Sequence, residues 1–368
     1  VVNDADYMAR ALLHAERGLG RTTPNPIVGA VVVTDDGVVV ATGYHERAGA
    51  AHAEVRALEA AGPRARGATM YSTLEPCCHV GRTGPCTTRI AEAGIRRVVS
   101  AVRDPNPKVA GGGVAELRRR GVDVVEGVLE EAAARANAAF FTWVRKRRPL
   151  VTMKIALSSD GYVASGSGQR TRITGTAAAR RAHRDRAAID AVAVGVGTVL
   201  SDDPLLTART AWRERPLTRV VFDRRLRTPP DARLLTTLDA GPVVIMCPED
   251  AALEPKAESL RRTGARVEPI RGPFLPAALT RLAEQDVTSL IVEGGPTLHE
   301  AFYRARLVDR VQIYVGDCAL GHQSPVPWLD AQTLPYTAFV RPRVRILGDD
   351  VCIEADLDED EHECSRDS

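Results

Sequence analysis

Residues 52–55 read His52-Ala53-Glu54-Val55, and residues 76–86 read Pro76-Cys77-Cys78-His79-Val80-Gly81-Arg82-Thr83-Gly84-Pro85-Cys86. His52 opens a stretch with helical apolar spacing, and Cys86 follows a proline at the start of another. A thiolate at a helix N-terminus is stabilised by the positive end of the backbone dipole, which suits a metal ligand. One imidazole and two thiolates, from His52, Cys77 and Cys86, fill three positions of a tetrahedral Zn²⁺ and leave the fourth for water, as in reactive rather than structural zinc sites. Cys78 and His79 are rival ligands. A structural zinc held by His52, Cys77, Cys78 and Cys86 is the competing reading, although adjacent cysteines rarely both reach one tetrahedral ion. His79 is expected to face a substrate.

Two thiolates cancel the formal charge of Zn²⁺, so a water there is acidified less than beside three neutral imidazoles. A nearby carboxylate that is not a ligand must then carry the proton, and Glu54, in the same helical turn as His52, is placed to do so. His-x-Glu followed by Pro-Cys and a second Cys is the arrangement of zinc-dependent base deaminases. Here eight residues separate Cys77 from Cys86, a longer loop than that general signature.

The full sequence of 368 residues fits a globular protein, with 44% hydrophobic and 26% charged residues. The length predicts two domains. The boundary falls in the basic run Arg145-Lys146-Arg147-Arg148-Pro149, giving domains 1–147 and 148–355 and an acidic, disordered tail 356–368. Apolar runs alternate with helical patterns in both halves, which predicts α/β layers. A continuous helix is expected over 129–145, and the last strand at 308–315. Seven clustered and scattered cysteines argue for a metal site in a reducing compartment. No run of 18 apolar residues and no secretory pattern is present, so a cytoplasmic protein without membrane contact is expected. A net charge of +2 and 4% aromatics argue against a nucleic-acid-editing enzyme, which needs a basic, aromatic-bearing surface.

Five stretches give the first half a family resemblance. They are Thr23-Pro24-Asn25-Pro26-Ile27-Val28-Gly29, Gly43-Tyr44-His45, His52-Ala53-Glu54-Val55, Thr73-Leu74-Glu75-Pro76-Cys77 through Cys86, and Asp104-Pro105-Asn106-Pro107. Together they resemble the bifunctional riboflavin-biosynthesis deaminase/reductases of bacteria, whose own Cys spacing is the long one. The resemblance implies a cytidine-deaminase-like three-layer N-terminal domain and zinc-assisted hydrolysis of a diamino-phosphoribosylaminopyrimidinone. His52, Cys77 and Cys86 would hold zinc, and Glu54 would shuttle protons. Asn25, His45, Arg82, Asp104 and Asn106 match positions lining the pyrimidine and phosphate site.

The second half lacks Gly-x-Gly-x-x-Gly; Gly195-Val196-Gly197-Thr198 comes nearest. Val292-Glu293-Gly294-Gly295-Pro296-Thr297-Leu298 runs from an apolar strand into glycines and a helix start. That suits a pyrophosphate, though a plain tight turn would look alike. Lys154–Gly161, Thr198–Arg209 and Glu293–Thr297 match the family's dihydrofolate-reductase-like domain, which implies reduction of the ribosyl group by NADPH. Carried over, Ala156, Thr198, Asp202 and the run Gly295, Pro296, Thr297, Leu298, His299, Glu300, Ala301 touch NADPH. Arg186, Leu206, Arg209 and Glu293 lie towards the phosphoribosyl substrate, and Lys154 is the polar group beside the reacting carbon. Three positions depart from the family: Arg170 stands where many members have Ser, Arg172 where they have Trp, and Arg224 where a Ser is common. Arg170 is placed with the substrate, Arg172 and Arg224 with the cofactor. An alternative is a deaminase whose second domain does not catalyse. A homo-oligomer acting on a small molecule is expected.

Overall fold

The computed structural model describes residues 3–79, 84–166, 171–321, 325–329, 334 and 336–357. Its contacts divide the chain into two compact units with the break between Arg147 and Arg148.

The first unit runs α1 (Asp4–Ala15), β1 (Gly29–Val33), β2 (Val39–Tyr44), α2 (Ala53–Ala61), β3 (Thr69–Ser72), α3 (Cys86–Glu92), β4 (Arg97–Ser100), α4 (Gly112–Arg119), β5 (Asp123–Glu126), α5 (Glu130–Ala136) and α6 (Ala138–Lys146). Its five strands lie in the order β2-β1-β3-β4-β5, antiparallel about β1 and parallel from β3 to β5. Gly29 pairs with Tyr44 and Ala30 with Gly43, so Gly29 and Gly43 point to opposite faces of the sheet. A Cβ on Gly29 would collide with the backbone of Ala11 in α1, and one on Gly43 with the backbone of Ala53 and Ala57 in α2. These two glycines let helices press onto both faces, giving three layers.

The expected helix over 129–145 is broken at Asn137, which is buried with φ −105°. Its amide is used elsewhere: Oδ1 accepts from Ile27 N–H at 2.9 Å, and Nδ2 donates to the Ile27 carbonyl at 2.9 Å. The break fixes the Asn25–Ile27 loop that enters the site.

The second unit contains β6 (Leu150–Leu157), β7 (Tyr162–Ala164), α7 (Thr176–Ala188), β8 (Ala191–Gly195), α8 (Val196–Asp202), β9 (Thr218–Phe222), β10 (Val243–Pro248), α9 (Pro255–Arg262), β11 (Arg266–Ile270), α10 (Phe274–Ala283), β12 (Ser289–Val292), α11 (Pro296–Arg304), β13 (Arg310–Val315), β14 (Val326–Pro327), β15 (Phe339–Leu347) and β16 (Asp350–Leu357). Nine strands form one sheet in the order β11-β10-β9-β8-β12-β6-β13-β16-β15, parallel up to β13 and antiparallel beyond it. Alternate residues feed two cores: Ala191 and Ala193 pack with Leu279 and Phe302, whereas Val192 and Val194 pack with Val199 and Leu260. Burial on both faces is why these strands read as continuous apolar runs.

Two expectations at the C-terminal end need correction. Strands β15 and β16 follow the expected last strand, and β16 continues through Asp356 and Leu357, the first two residues of the expected tail. Asp356 accepts from Arg310 Nε at 2.8 Å and Leu357 is buried, so both belong to the sheet. Residues 358–368, like Arg82 and Arg170, lie outside the described residues.

Candidate functional site

His52 caps α2, and Cys86 is the first residue of α3. Cys77 follows β3. Their ligand atoms lie within 4.8 Å of one another. His52 Nδ1 is 3.2 Å from Cys86 Sγ and 3.5 Å from Cys77 Sγ, and Cys86 N–H donates to Cys77 Sγ at 3.3 Å. Those separations match donors on a tetrahedral zinc with Zn–S about 2.3 Å and Zn–N about 2.0 Å. Cys78 does not join them: its Sγ faces the Lys108 carbonyl at 3.8 Å, which removes the four-ligand reading. Hydrogen bonding from Cys86 outweighs burial and holds the Cys77 thiol down to about 4, while the same bond pushes Cys86 up. The bond to Cys77 pushes His52 up to about 9. One imidazole and two thiols crowded together share out protons that a divalent cation replaces, so the donor set fits zinc.

The ligands open onto a cavity of about 180 Å³ lined by Asn25, His45, Glu54, Glu75, His79, Asp104, Asn106 and Phe140, among others. Glu54 is buried, and burial pushes its carboxyl up to about 7 against the opposing pull of His52. His45 Nδ1 lies 3.2 Å from the Ala51 carbonyl, to which it can only donate, leaving Nε2 to accept from Asn25 Nδ2 at 3.2 Å. Burial lowers the His45 pKa, in keeping with this neutral form. Burial raises Asp104 to about 6. His79 Nδ1 is buried without a hydrogen-bond partner among the described residues, and the side chain lines the cavity.

In the sequence Glu75 stands out only as part of a motif. Its buried carboxylate accepts N–H groups from Asp104, Gly111, Gly113 and Val114 at 2.9–3.2 Å, fixing the loop that presents Asp104 and Asn106. A buried acid next to a ligand, with Gly111-Gly112-Gly113 downstream, was the available signal.

In the second unit, Lys154, midway along β6, lies beside Glu293, which sits just past the carboxyl end of the adjacent parallel strand β12. Ligands of open α/β sheets bind at such ends. Arg186 donates to both Glu293 oxygens at 2.6 and 2.7 Å, and Lys154 Nζ is 3.7 Å away. Burial would raise the Glu293 pKa, but Arg186 and Lys154 outweigh it and hold it at about 2. Lys154, Arg186, Asp202, Leu206 and Arg209 line a cavity of about 440 Å³, together with His183, Arg233 and Tyr314, which the sequence did not single out. A second cavity, of about 780 Å³, is lined by Thr198, Arg224, Gly295, Thr297, Leu298 and Ala301, with Phe222, Phe274, Arg225 and Arg227.

Several carried-over cofactor positions are not brought to that second cavity. A helix shows a ligand one face in every 3.6 residues, so α11 presents Thr297, Leu298 and Ala301 but not the whole run. Pro296 is the first residue of α11. His299 is fully buried, Nε2 on the Val292 carbonyl at 3.2 Å and Nδ1 receiving Trp328 Nε1–H at 3.0 Å. Glu300 pairs with Arg304 at the surface. Asp202 lines the smaller cavity instead. Ala156 packs on Ala178, Tyr314 and Cys352, and the exposed Arg172 donates to the Thr174 carbonyl at 3.4 Å.

Fold and sites together define a two-domain enzyme, a zinc-site deaminase joined to a reductase. Residues 1–102 match the cytidine and deoxycytidylate deaminase zinc-binding region, and residues 149–352 match the RibD C-terminal domain. The riboflavin biosynthesis protein RibD of Aquifex aeolicus is 41% identical over 95% of this chain and 97% of its own length. That of Escherichia coli is 36% identical over 96% and 99%. RibD of Acinetobacter baumannii superposes with a TM-score of 0.84 at 35% identity, covering 97% of this chain and 99% of that one. A deaminase/reductase of Thermotoga maritima does so with 0.83 at 35%, covering 96% and 98%. The chain belongs to the RibD family of riboflavin biosynthesis proteins. It is a bifunctional deaminase and reductase that works with Zn²⁺ and NADPH.

Proposed function

We propose that the first unit removes an amino group from the pyrimidine named in the description of the Thermotoga relative, a diaminohydroxyphosphoribosylaminopyrimidine. The second then reduces the 5-amino-6-(5-phosphoribosylamino)uracil that results. The observation that carries the reading is the convergence of His52, Cys77 and Cys86 with Glu54 in one cavity whose other walls are Asn25, His45, Asp104 and Asn106. His52, Cys77 and Cys86 would hold the zinc, which when bound would supply Lewis acidity that lowers the pKa of water. Glu54 takes the proton that water gives up and delivers it to the departing ammonia, a transfer suited to a carboxyl near neutrality. Asn25, Asp104 and Asn106 orient the polar edge of the ring.

In the second unit the cavity lined by Thr198, Arg224, Gly295, Thr297 and Leu298 would hold NADPH, which would supply a hydride. Arg224, Arg225 and Arg227 outnumber Asp223 on the wall of that cavity and make the wall cationic, while Asp223 accepts from the Arg225 and Thr228 N–H groups and the Thr228 hydroxyl. Lys154, held by Glu293, stands ready to give a proton to the reduced sugar.

The chain acts as a homo-oligomer in the cytoplasm. Edge strand β15 exposes Val344 (65%) and Ile346 (80%) beside Arg343 and Arg345, and the six described cysteines are all unpaired. Light scattering should give a multiple of the chain mass. Elemental analysis tests the zinc assignment: about one zinc per chain is expected, lost when His52→Ala and Cys86→Ala are combined. Metal retained by that double variant would refute the ligand set.

A further inference from the structure

The cations lining the 440 Å³ cavity differ in how far they are already committed. Lys154 and Arg186 are taken up by Glu293, and His183 Nδ1 lies 3.0 Å from the Thr207 carbonyl. The guanidinium groups of Arg209 and Arg233, both exposed, have no hydrogen bond or ion pair among the described residues.

The Arg233 backbone is firmly held. Its N–H donates to Asp203 Oδ1 at 2.8 Å, and its carbonyl accepts from the Thr236 and Thr237 hydroxyls at 3.0 and 3.1 Å. Behind it lies Arg219, wholly buried on β9, with no carboxylate among its hydrogen-bond partners. Arg219 donates to the carbonyls of Leu234 (2.9 Å), Thr237 (2.8 Å) and Leu205 (3.3 Å), and so ties the Arg233 segment to the 203–206 loop on the same cavity wall. Asp203 and Leu206 adopt left-handed φ values of 40° and 53°, so that loop is held in one shape. The result is a rigid base carrying a guanidinium with nothing to bind.

The cavity lining therefore combines compensated cations, Lys154 and Arg186 against Glu293, with two exposed and uncommitted guanidiniums, those of Arg209 and Arg233. A phosphoribosyl substrate makes two matching demands. The carbon to be reduced lies at one end of the sugar and the phosphomonoester at the other. Guanidinium forks match phosphate oxygens bidentately and stay charged at every working pH. We infer that Arg233, together with Arg209, grips the substrate's phosphate and makes Arg233 a specificity-determining residue of the reductase. This rests on the reductase reading proposed above.

The test uses the full-length protein with zinc and follows NADPH-dependent reduction of the deaminated substrate, with ribose 5-phosphate and ribose as competing inhibitors. Arg233→Ala and the length-preserving Arg233→Gln should each weaken inhibition by ribose 5-phosphate and raise KM about 10- to 100-fold, the effect of losing one charge-assisted contact. Inhibition by ribose should shift less than about two-fold, because it offers no phosphate to lose. Arg233→Lys should fall between wild type and Arg233→Ala. Variants that melt like wild type and keep its KM and its ribose 5-phosphate inhibition would make Arg233 a solvated surface charge and overturn the inference. Equal weakening towards ribose and ribose 5-phosphate would overturn it too, since that marks a general loss of cavity shape. If the wild type reduces nothing, the underlying reductase reading fails instead.

Discussion

Glu54 carries the sharpest test at the scale of single residues. Glu54→Gln keeps the shape of the side chain but cannot ferry a proton. It should retain zinc and lose about 10²- to 10⁴-fold in deamination rate, while reduction of pre-deaminated substrate continues. Wild-type deamination by the variant would refute the assignment. Arg224 makes a second test. Its guanidinium lies 4.9 Å over the Phe274 ring on the wall of the larger cavity, where a 2′-phosphate would meet it. A charge-assisted hydrogen bond contributes about 1.5–3 kcal/mol, so Arg224→Ala should shrink the preference for NADPH over NADH about 10- to 150-fold, mainly through KM. Steady-state kinetics with both cofactors measure this directly, and an unchanged ratio would leave Arg224 as surface charge.

Elements depend on buried polar groups that tie distant segments together. Glu75→Gln replaces a carboxylate accepting four backbone N–H groups with an amide that cannot accept them all. The loop over 104–114 should exchange its amide hydrogens faster, and deamination should lose substrate affinity at retained zinc content. His299 gives α11 a pH dependence. Burial holds its pKa at about 4, against about 6.5 when unfolded. The unfolded chain therefore binds the extra proton first as pH falls. Stability from this group is complete above about pH 6.5 and lost progressively down to about pH 4, by roughly 3 kcal/mol in all. Melting temperatures across that range should fall less steeply for His299→Gln. The sequence could not show such devices, because the partners are remote. Asn137 reads as one more helical residue until Ile27, 110 positions away, claims its amide. Strand β15 escaped the apolar pattern for a different reason. Its stretch Val340-Arg341-Pro342-Arg343-Val344-Arg345 lies at an exposed sheet edge, where arginines and a proline are tolerated, and it resembles a loop. By contrast, His52, Glu54, Cys77 and Cys86 were legible because zinc chemistry restricts both residue type and spacing. In α11 the carried-over run 295–301 was legible only as a helix start, and the face it turns to the cavity needed the structure.

On the scale of the whole molecule, the chain holds two sites in two units, each with its own core. Inactivating one should leave the other's chemistry in place. The central claim, that one chain both deaminates and reduces, is tested most directly by the mass and absorbance of the product made by the purified protein, with and without NADPH. Without NADPH the product should have exchanged one amino group for oxygen. With NADPH it should in addition gain two hydrogens on the sugar, with cofactor oxidised in equal amount. A product that retains both amino groups of the diaminopyrimidine, or one that is identical with and without NADPH, would contradict the assignment of two activities to this chain.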